Sequence, residues 1–464
     1  MVTKPPNRRG LQKMGLPLGL RLLLGLVTLA LLGAALFLLP GMGARPLSLS
    51  EALFTSVSAV TVTGLSVLIL PVDLTPSGQI LLLMLMQAGG IGVMVLTVII
   101  FVLLGRRISL LDRIALRSVL GSIVPGAVLG LMGRVLAGVL AIEASGALLL
   151  FLHWRHSMGD ARALGYAVFH AVSAFCNAGF DLFSGSPDFP GGLPSDSFTL
   201  GVLATLILLG GLGVPVLADG VAWFRTFGMH RGIDHERAER VTALSLHTRL
   251  TLSAFALLTI VGALGIFWAE GIEPGHHPGE SLGYAFFQSI VARTAGFAIP
   301  GSFEMLSPAS RFLVLLLMFV GTAPASMGGG ITTGTAIVLF LSTITYLRGR
   351  SDVVIAGRTI SLDTTRRALA VLVVSLLVVV TATWLILLSH PNESPMDALF
   401  EVISSFATCG LSLSFTARLN DFGRGVIMFV MLWGRLGPLG IVLALAHETE
   451  TPRVQYPEEQ ILIG

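Results

Sequence analysis

The sequence predicts an all-α integral membrane protein of four tandem helix–pore-loop–helix repeats, eight spans in all, around one central pore. Three observations predict it: apolar runs of membrane length, loops that differ in basic charge, and a fourfold internal repeat. Of the 464 residues, 54% are hydrophobic and only 12% charged, about half the charged share of a soluble domain. Mean hydropathy is +0.86. The runs at 22–39, 78–104, 134–154, 246–268 and 369–388 are the clearest, and they approach the roughly 20 residues that cross a bilayer as a helix. They are continuously apolar and do not alternate, which disfavours a strand barrel. No soluble domain fits in what remains.

Basic residues are unevenly shared among the loops. The arm 1–21, the segments 105–134, 225–249 and 348–367, and the C-terminal tail hold 21 of the 29 Lys and Arg. The positive-inside rule makes these cytoplasmic, so both termini are inside and the crossings are even in number. The first run is too long for a signal-peptide core and is read as retained. Cys176 and Cys409 are far apart in sequence, so no disulfide framework is indicated.

Four segments align without gaps: FTSVSAVTVTGL from Phe54, FHAVSAFCNAGF from Phe169, FFQSIVARTAGF from Phe286 and FEVISSFATCGL from Phe400. Their eleventh-column glycines, Gly64, Gly179, Gly296 and Gly410, are 115, 117 and 114 residues apart. Each segment lies between apolar runs, giving helix, half-helix, Gly turn, helix. A half-helix at membrane depth must be buried in protein or line a watery cavity. The expected parts are an arm (1–21), repeat 1 (22–104), repeat 2 with a preceding cytoplasmic linker (105–228), repeat 3 with a broken second helix (229–347), repeat 4 (348–447) and a cytoplasmic tail (448–464). A second repeated feature follows each turn: Gly89-Gly90-Ile91-Gly92, Gly210-Gly211-Leu212-Gly213, Gly321-Thr322-Ala323-Pro324 and Gly434-Arg435-Leu436-Gly437. Such small residues let the second helices pack closely beneath the turns.

A dehydrated cation needs oxygens to replace its water. Backbone carbonyls in an unusual, Gly-containing stretch supply them, as in the four inward-facing loops of potassium channels. Here one chain offers Val62-Thr63-Gly64, Asn177-Ala178-Gly179, Thr294-Ala295-Gly296 and Thr408-Cys409-Gly410. The side chains vary, as main-chain coordination allows. One Gly turn alone reads as a helix cap; four in register read as a selectivity filter. Half-helix C-termini aimed at the centre would add partial negative charge.

The repeat pattern, the segment FTSVSAVTVTGLSV and the segment MGGGITT resemble the Trk/Ktr/HKT superfamily of cation transporters over residues 22–447. With eight spans and no extra N-terminal pair, the chain looks most like a Ktr-type membrane subunit. The resemblance implies potassium uptake through a gated, channel-like pore, with potassium at the filter residues and sodium as a further candidate ion. It also implies sodium stimulation, a homodimer of pore units, a cytosolic KtrA-like nucleotide-binding regulatory ring, and a place in the plasma or inner membrane among its lipids. Sodium-selective plant relatives often carry Ser at the first filter Gly; Gly64 therefore favours potassium. The alternative is a sodium-coupled or sodium-conducting secondary transporter. Inverted repeats would mark a moving-repeat transporter, and these four read in one orientation. No nucleophile–base constellation points to an enzyme, and neither a cofactor nor a nucleic-acid partner is expected.

Two anomalies point to a gate. Arg435 occupies the column of Gly90 and Gly211. A mid-membrane Arg costs roughly 2.5–3.5 kcal/mol, so a mid-helix Arg is expected to face a polar cavity; snorkelling is the alternative. Residues 321–334 hold five glycines and Pro324, and read as an irregular loop lining the cavity or as a packing kink. The resemblance implies an intramembrane gate here, made of Pro324, Ser326, Gly328, Gly329, Gly330 and Arg435. Thr332 stands where relatives commonly carry Lys. Since the filter uses other residues, gating and selectivity are expected to separate.

Glu143, inside an apolar run, reads as a coupling-ion ligand or an Arg partner, or as a helix-end residue. His170, Glu401 and Gln288 read as buried supports of the turns, and Asp219 as a cytoplasmic helix end. The basic segments 231–249 and 348–367 are candidate docking sites for the ring. GGLGVP and MGGGIT lack the P-loop Lys and a βαβ setting, which argues against nucleotide binding. His276-His277 with Glu273 and Glu280 reads as a solvated loop before a metal site.

Overall fold

The computed structural model describes residues 18–104, 125–228, 244–271, 278–299, 303, 305–350, 352–355 and 357–437. The first unit is α1 (Leu18–Phe37), the half-helix α2 (Leu49–Thr61), a single turn α3 (Leu70–Asp73) and α4 (Pro76–Leu104). The second is α5 (Pro125–Met158), half-helix α6 (Asp160–Phe175) and α7 (Ser197–Gly228). The third is α8 (Leu246–Gly271), half-helix α9 (Pro278–Val291), α10 (Pro308–Phe319) and α11 (Thr333–Leu347). The fourth is α12 (Leu362–Ser389), half-helix α13 (Pro395–Ala407) and α14 (Asp421–Leu436). Among the described residues, four helical stretches are long and apolar enough to cross a membrane: Gly133–Met158, Ser197–Trp223, Leu246–Gly271 and Leu362–Ser389. Their surfaces carry exposed Leu, Val, Ile and Trp side chains, while the buried core lies around the half-helices.

The packing is cyclic. Each half-helix packs on the first helix of its own unit, and each second helix touches the half-helix of the next unit. α4 meets α6, α7 meets α9, α10 meets α13, and α14 returns to α2. Buried hydroxyls fix two half-helices: Ser56 Oγ donates to the Ala30 carbonyl (2.7 Å) and Ser289 Oγ to that of Thr259 (2.9 Å). Gly33 and Gly262 make room, since a Cβ on either would lie 2.3 Å from those hydroxyls.

Local chemistry starts and stops the half-helices. α2 opens with a capping box: the Glu51 amide donates to Ser48 Oγ and the Ser48 amide to the Glu51 carboxylate. α13 opens with Ser394 as cap and Pro395 at its first position. α2 and α13 stop at Val62 and Thr408, which adopt the left-handed conformation (φ 56° and 50°).

The structure corrects several sequence expectations. The chain is not wholly helical: β1 (Val353–Ile355) and β2 (Arg358–Ile360) pair antiparallel, Val353 opposite Ile360, around Gly357 at φ 74°. β-branched residues flanking a Gly turn favour this hairpin. The break at residues 320–332 is not the only one. α7 loses helical geometry at Gly213 (φ 78°, ψ 159°), two residues before Pro215. Arg435 is not mid-helix: it lies in the last turn of α14, which ends at Leu436 before Gly437 (φ 74°). Asp219 lies within α7, nine residues before its last residue, and accepts from Thr248 Oγ1 at the start of α8. Residues 1–17 of the arm 1–21, all of 105–124 in the linker, 229–243, 272–277 with the His276-His277 pair, and 438–464 including the tail 448–464 lie outside the described residues.

Candidate functional site

The four Gly turns meet in a closed ring. A Cβ on Gly64 would lie 2.0 Å from the Ala178 carbonyl oxygen, one on Gly179 2.6 Å from Ala295 O, one on Gly296 2.3 Å from Cys409 O, and one on Gly410 2.3 Å from Thr63 O. Each glycine thus abuts the tenth-column carbonyl of the next unit, and the fourth unit returns to the first. All four have φ between 67° and 89°, where a side chain is strained as well as unaccommodated. At these four contacts main chain therefore meets main chain. The tenth-column side chains Thr63, Ala178, Ala295 and Cys409 are fully buried, and the Cys409 thiol lies 3.6 and 3.5 Å from the Val291 and Ala292 carbonyls of the third unit.

Two columns earlier every unit repeats a second strained position. Val62, Asn177, Thr294 and Thr408 all have positive φ (56°, 55°, 76° and 50°). Three of the four are β-branched, which makes the left-handed backbone costly, on the order of 1–3 kcal/mol each. The ninth column of the gapless alignment holds this position, with no glycine to mark it. The Asn177 amide is oriented so that its nitrogen donates to Ala174 O (3.0 Å) and Ile207 O (3.1 Å) while its oxygen accepts from Thr294 Oγ1 (3.2 Å).

Column-two residues anchor the segments that follow two turns. His170 Nε2 lies 2.8 Å from Asp181 Oδ1. Burial alone would raise the Asp181 carboxyl, but hydrogen bonds from His170, Ser184 and the Phe183 amide hold it below its ordinary value. Glu401, fully buried, accepts from Ser412 Oγ (2.8 Å) and Thr416 Oγ1. Gln288 is fully buried in the third half-helix.

Beneath the ring, residues 320–332 cross from one side of the bundle to the other. On the α7 side, Ala323 N donates to Gly211 O (3.1 Å), Met327 N to Gly210 O (3.2 Å), and Val214 N to Ala325 O (3.2 Å). The amide next to the α7 break is thus satisfied by the loop. On the α14 side, Gly330 N donates to Gly434 O (3.3 Å) and Gly329 N to Thr408 Oγ1 (2.9 Å). The loop is braced by Gly321 N to Ile331 O (2.9 Å) and by the Thr322 and Ser326 hydroxyls (2.7 Å apart). Pro324 O faces Gly213, and Gly328 lies against Thr294 and Thr322 with no space for a Cβ.

Arg435 is buried and pins the loop to α4. Nη1 donates to Met327 O, and Nη2 to Gly89 O (3.1 Å) and Gly90 O (3.4 Å). Its column faces the loop in other units too: a Cβ on Gly90 would meet Met327 Sδ at 3.3 Å and one on Gly211 the Thr322 methyl at 3.1 Å. Gly89, Gly210 and Gly434 press against the seventh-column carbonyls of Val60, Phe175 and Phe406, a Cβ falling within 2.0 Å of each oxygen. The small-residue column therefore sets how closely three second helices approach their half-helices.

Glu143 is not at a helix end, and no Arg among the described residues pairs with it. It is buried mid-α5, where Gln87 Nε2 donates to it (2.7 Å) and Cys176 Sγ lies 3.8 Å away. Sequence reading passed over Arg293. It is almost fully buried beside Thr294, with its guanidinium 3.5 Å over the Phe255 ring.

A family model described as "TrkH: Cation transport protein" matches residues 39–455. The chain belongs to this family. It is 36% identical to Ktr system potassium uptake protein B of Vibrio alginolyticus over 452 residues, covering 96% of this chain and 94% of that one. It is 34% identical to the Bacillus subtilis (strain 168) protein of the same name, covering 96% of each. The Potassium/sodium uptake protein NtpJ of Enterococcus hirae is 32% identical, over 95% and 96% of the two chains. The crystal structure of the potassium transporter TrkH from Vibrio parahaemolyticus superposes with a TM-score of 0.73 at 20% identity, covering 95% of this chain and 87% of that one. This TrkH-family chain thus shares the fold of that structure.

Proposed function

We propose that this chain takes up potassium through a gated, channel-like pore with a backbone-carbonyl selectivity filter. The observation that carries the reading is the ring in which Gly64, Gly179, Gly296 and Gly410 each abut a carbonyl of the next unit. Such a ring offers a cation only main-chain oxygens, and the C-termini of four half-helices converge on it. On this reading the four units contribute eight spans, both termini are cytoplasmic, and the filter comprises columns nine to eleven of each turn. The segment 320–332, with Pro324, Ser326 and Gly328–Gly330, is the gate and Arg435 its latch. A positive charge below a cation filter opposes conduction strongly where water is scarce. The names of the Ktr relatives support potassium as the ion and a multi-component system. The basic hairpin segment 348–367 then offers a surface to a separate nucleotide-binding ring, and pore units pair as a homodimer that sodium stimulates. Co-purification from native membranes tests the ring; recovery of a bare pore that retains full regulation sinks it.

The name of the Enterococcus hirae relative favours a second reading, in which sodium also passes. Potassium and sodium flux from the purified protein in liposomes separates the two. Dissipation of a potassium gradient without counter-substrate, with little sodium flux, supports the first; equal fluxes support the second; no flux of either ion refutes the pore.

A further inference from the structure

Filter and gate are not separate sets of residues. The ninth-column residue of the fourth turn, Thr408, has its hydroxyl occupied by the loop: Gly329 N donates to Thr408 Oγ1 at 2.9 Å. Thr294, at the same column of the third turn, has its hydroxyl where a Cβ on Gly328 would fall (2.2 Å) and donates to Asn177. Two ninth-column hydroxyls, Thr408 and Thr294, therefore lie directly on the loop, and Asn177 is joined to Thr294. The fourth, Val62, has no oxygen to offer.

A hydroxyl oxygen can accept from an amide or ligate a dehydrated monovalent cation. Thr408 Oγ1 has two acceptor lone pairs, but the Gly329 N–H turns its positive end to this oxygen at 2.9 Å, so loop amide and cation compete for it. We propose that Thr408 is a shared residue of gate and filter: its oxygen holds the loop amide in the closed pore and ligates the cation at the inner end of the filter once the loop withdraws. This rests on the pore reading above. The loop then shuts the pore by occupying a cation ligand as well as by filling space. Its withdrawal creates the innermost site, so gate opening and ion binding favour each other by linkage.

The decisive variant is Thr408→Val. Val already occupies this column in the first unit at nearly the same φ (Val62, 56°; Thr408, 50°), so the substitution keeps both shape and backbone. It removes only the oxygen. Thr408→Ser keeps the oxygen and is the rescue control. Each is measured in proteoliposomes without any regulatory subunit, as basal potassium flux and as the sodium-to-potassium permeability ratio. The expected result for Thr408→Val is a rise in basal flux of about tenfold, the loss of one buried acceptor, together with a shifted permeability ratio. Thr408→Ser, which keeps the oxygen, should lie nearer the wild type than Thr408→Val in both readouts. Gly329→Ala, which forces the loop off Thr408 (Cβ to Oγ1 2.8 Å), should raise flux with no further rise when combined with Thr408→Val. A folded Thr408→Val protein with wild-type basal flux, or with raised flux and an unchanged ratio, overturns the shared role. A wild-type protein that carries no potassium refutes the pore reading itself, so the two failures are distinguishable.

Discussion

Replacing Arg435 by Ala should open the resting pore. The guanidinium donates to Met327 O on the loop and to Gly89 O (3.1 Å) and Gly90 O (3.4 Å) on α4, so a single side chain ties the loop across the cavity. A hydrogen bond from a charged donor contributes roughly 1.5–3 kcal/mol net. The 3.4 Å contact lies beyond the ordinary N–H···O distance, and Nε has no partner among the described residues, so part of the gain is offset by the cost of burying the charge. A net loss of about 1.5–3 kcal/mol in loop closure follows, which is roughly a 10- to 150-fold rise in the open fraction. Removing the positive charge acts in the same direction. Arg435→Lys separates the two effects: it keeps the charge but lacks the planar fork that reaches both loop and α4. It should recover little of the latch. The assay is unstimulated potassium efflux from proteoliposomes, with elution volume and helical content checked against the wild type. A folded Arg435→Ala protein with wild-type basal efflux would refute the latch.

Two other perturbations test the ring and its support. Gly64→Ser places a Cβ 2.0 Å from Ala178 O at a φ of 89°, so the ring must widen by about 1 Å before the contact becomes tolerable; the sodium-to-potassium flux ratio should rise, and an unchanged ratio in a folded protein would remove Gly64 from the filter. Glu51 is held at about 2 by hydrogen bonds from Arg45, against burial that would raise it, with the Ser48 capping-box bonds assisting. The stability it adds is complete above its ordinary value near 4.5 and fades as pH falls toward 2. Glu51→Gln should therefore melt lower than the wild type at pH 7, with the gap closing below pH 4; a constant gap across that window contradicts the assignment.

Much of the architecture was legible in one dimension because a membrane restricts what a chain can do. Apolar runs must be helices there, and a gapless repeat of Phe and Gly columns places four turns in register before any coordinates are consulted. The third unit's broken helix and the exceptional Arg435 were equally visible, since Gly, Pro and charge are the residues a lipid-facing helix disfavours. The α7 break was written as plainly in Gly213-Val214-Pro215, but the glycine-rich string drew attention as a false phosphate loop. Glu143 stood open between several roles because sequence shows a charge in an apolar run without showing Gln87 beside it.

By itself, then, the sequence determined the number of units, the turn residues and the two anomalies, because each is a local property of composition or period. Tertiary structure alone decided which carbonyl each glycine meets, that the loop lies on Thr408 and Gly434, and that Arg435 reaches both the loop and α4. Those partners are separated by tens to hundreds of residues and come from all four units. Their meeting depends on the crossing of helices and on closure of the ring, and local sequence preference encodes neither.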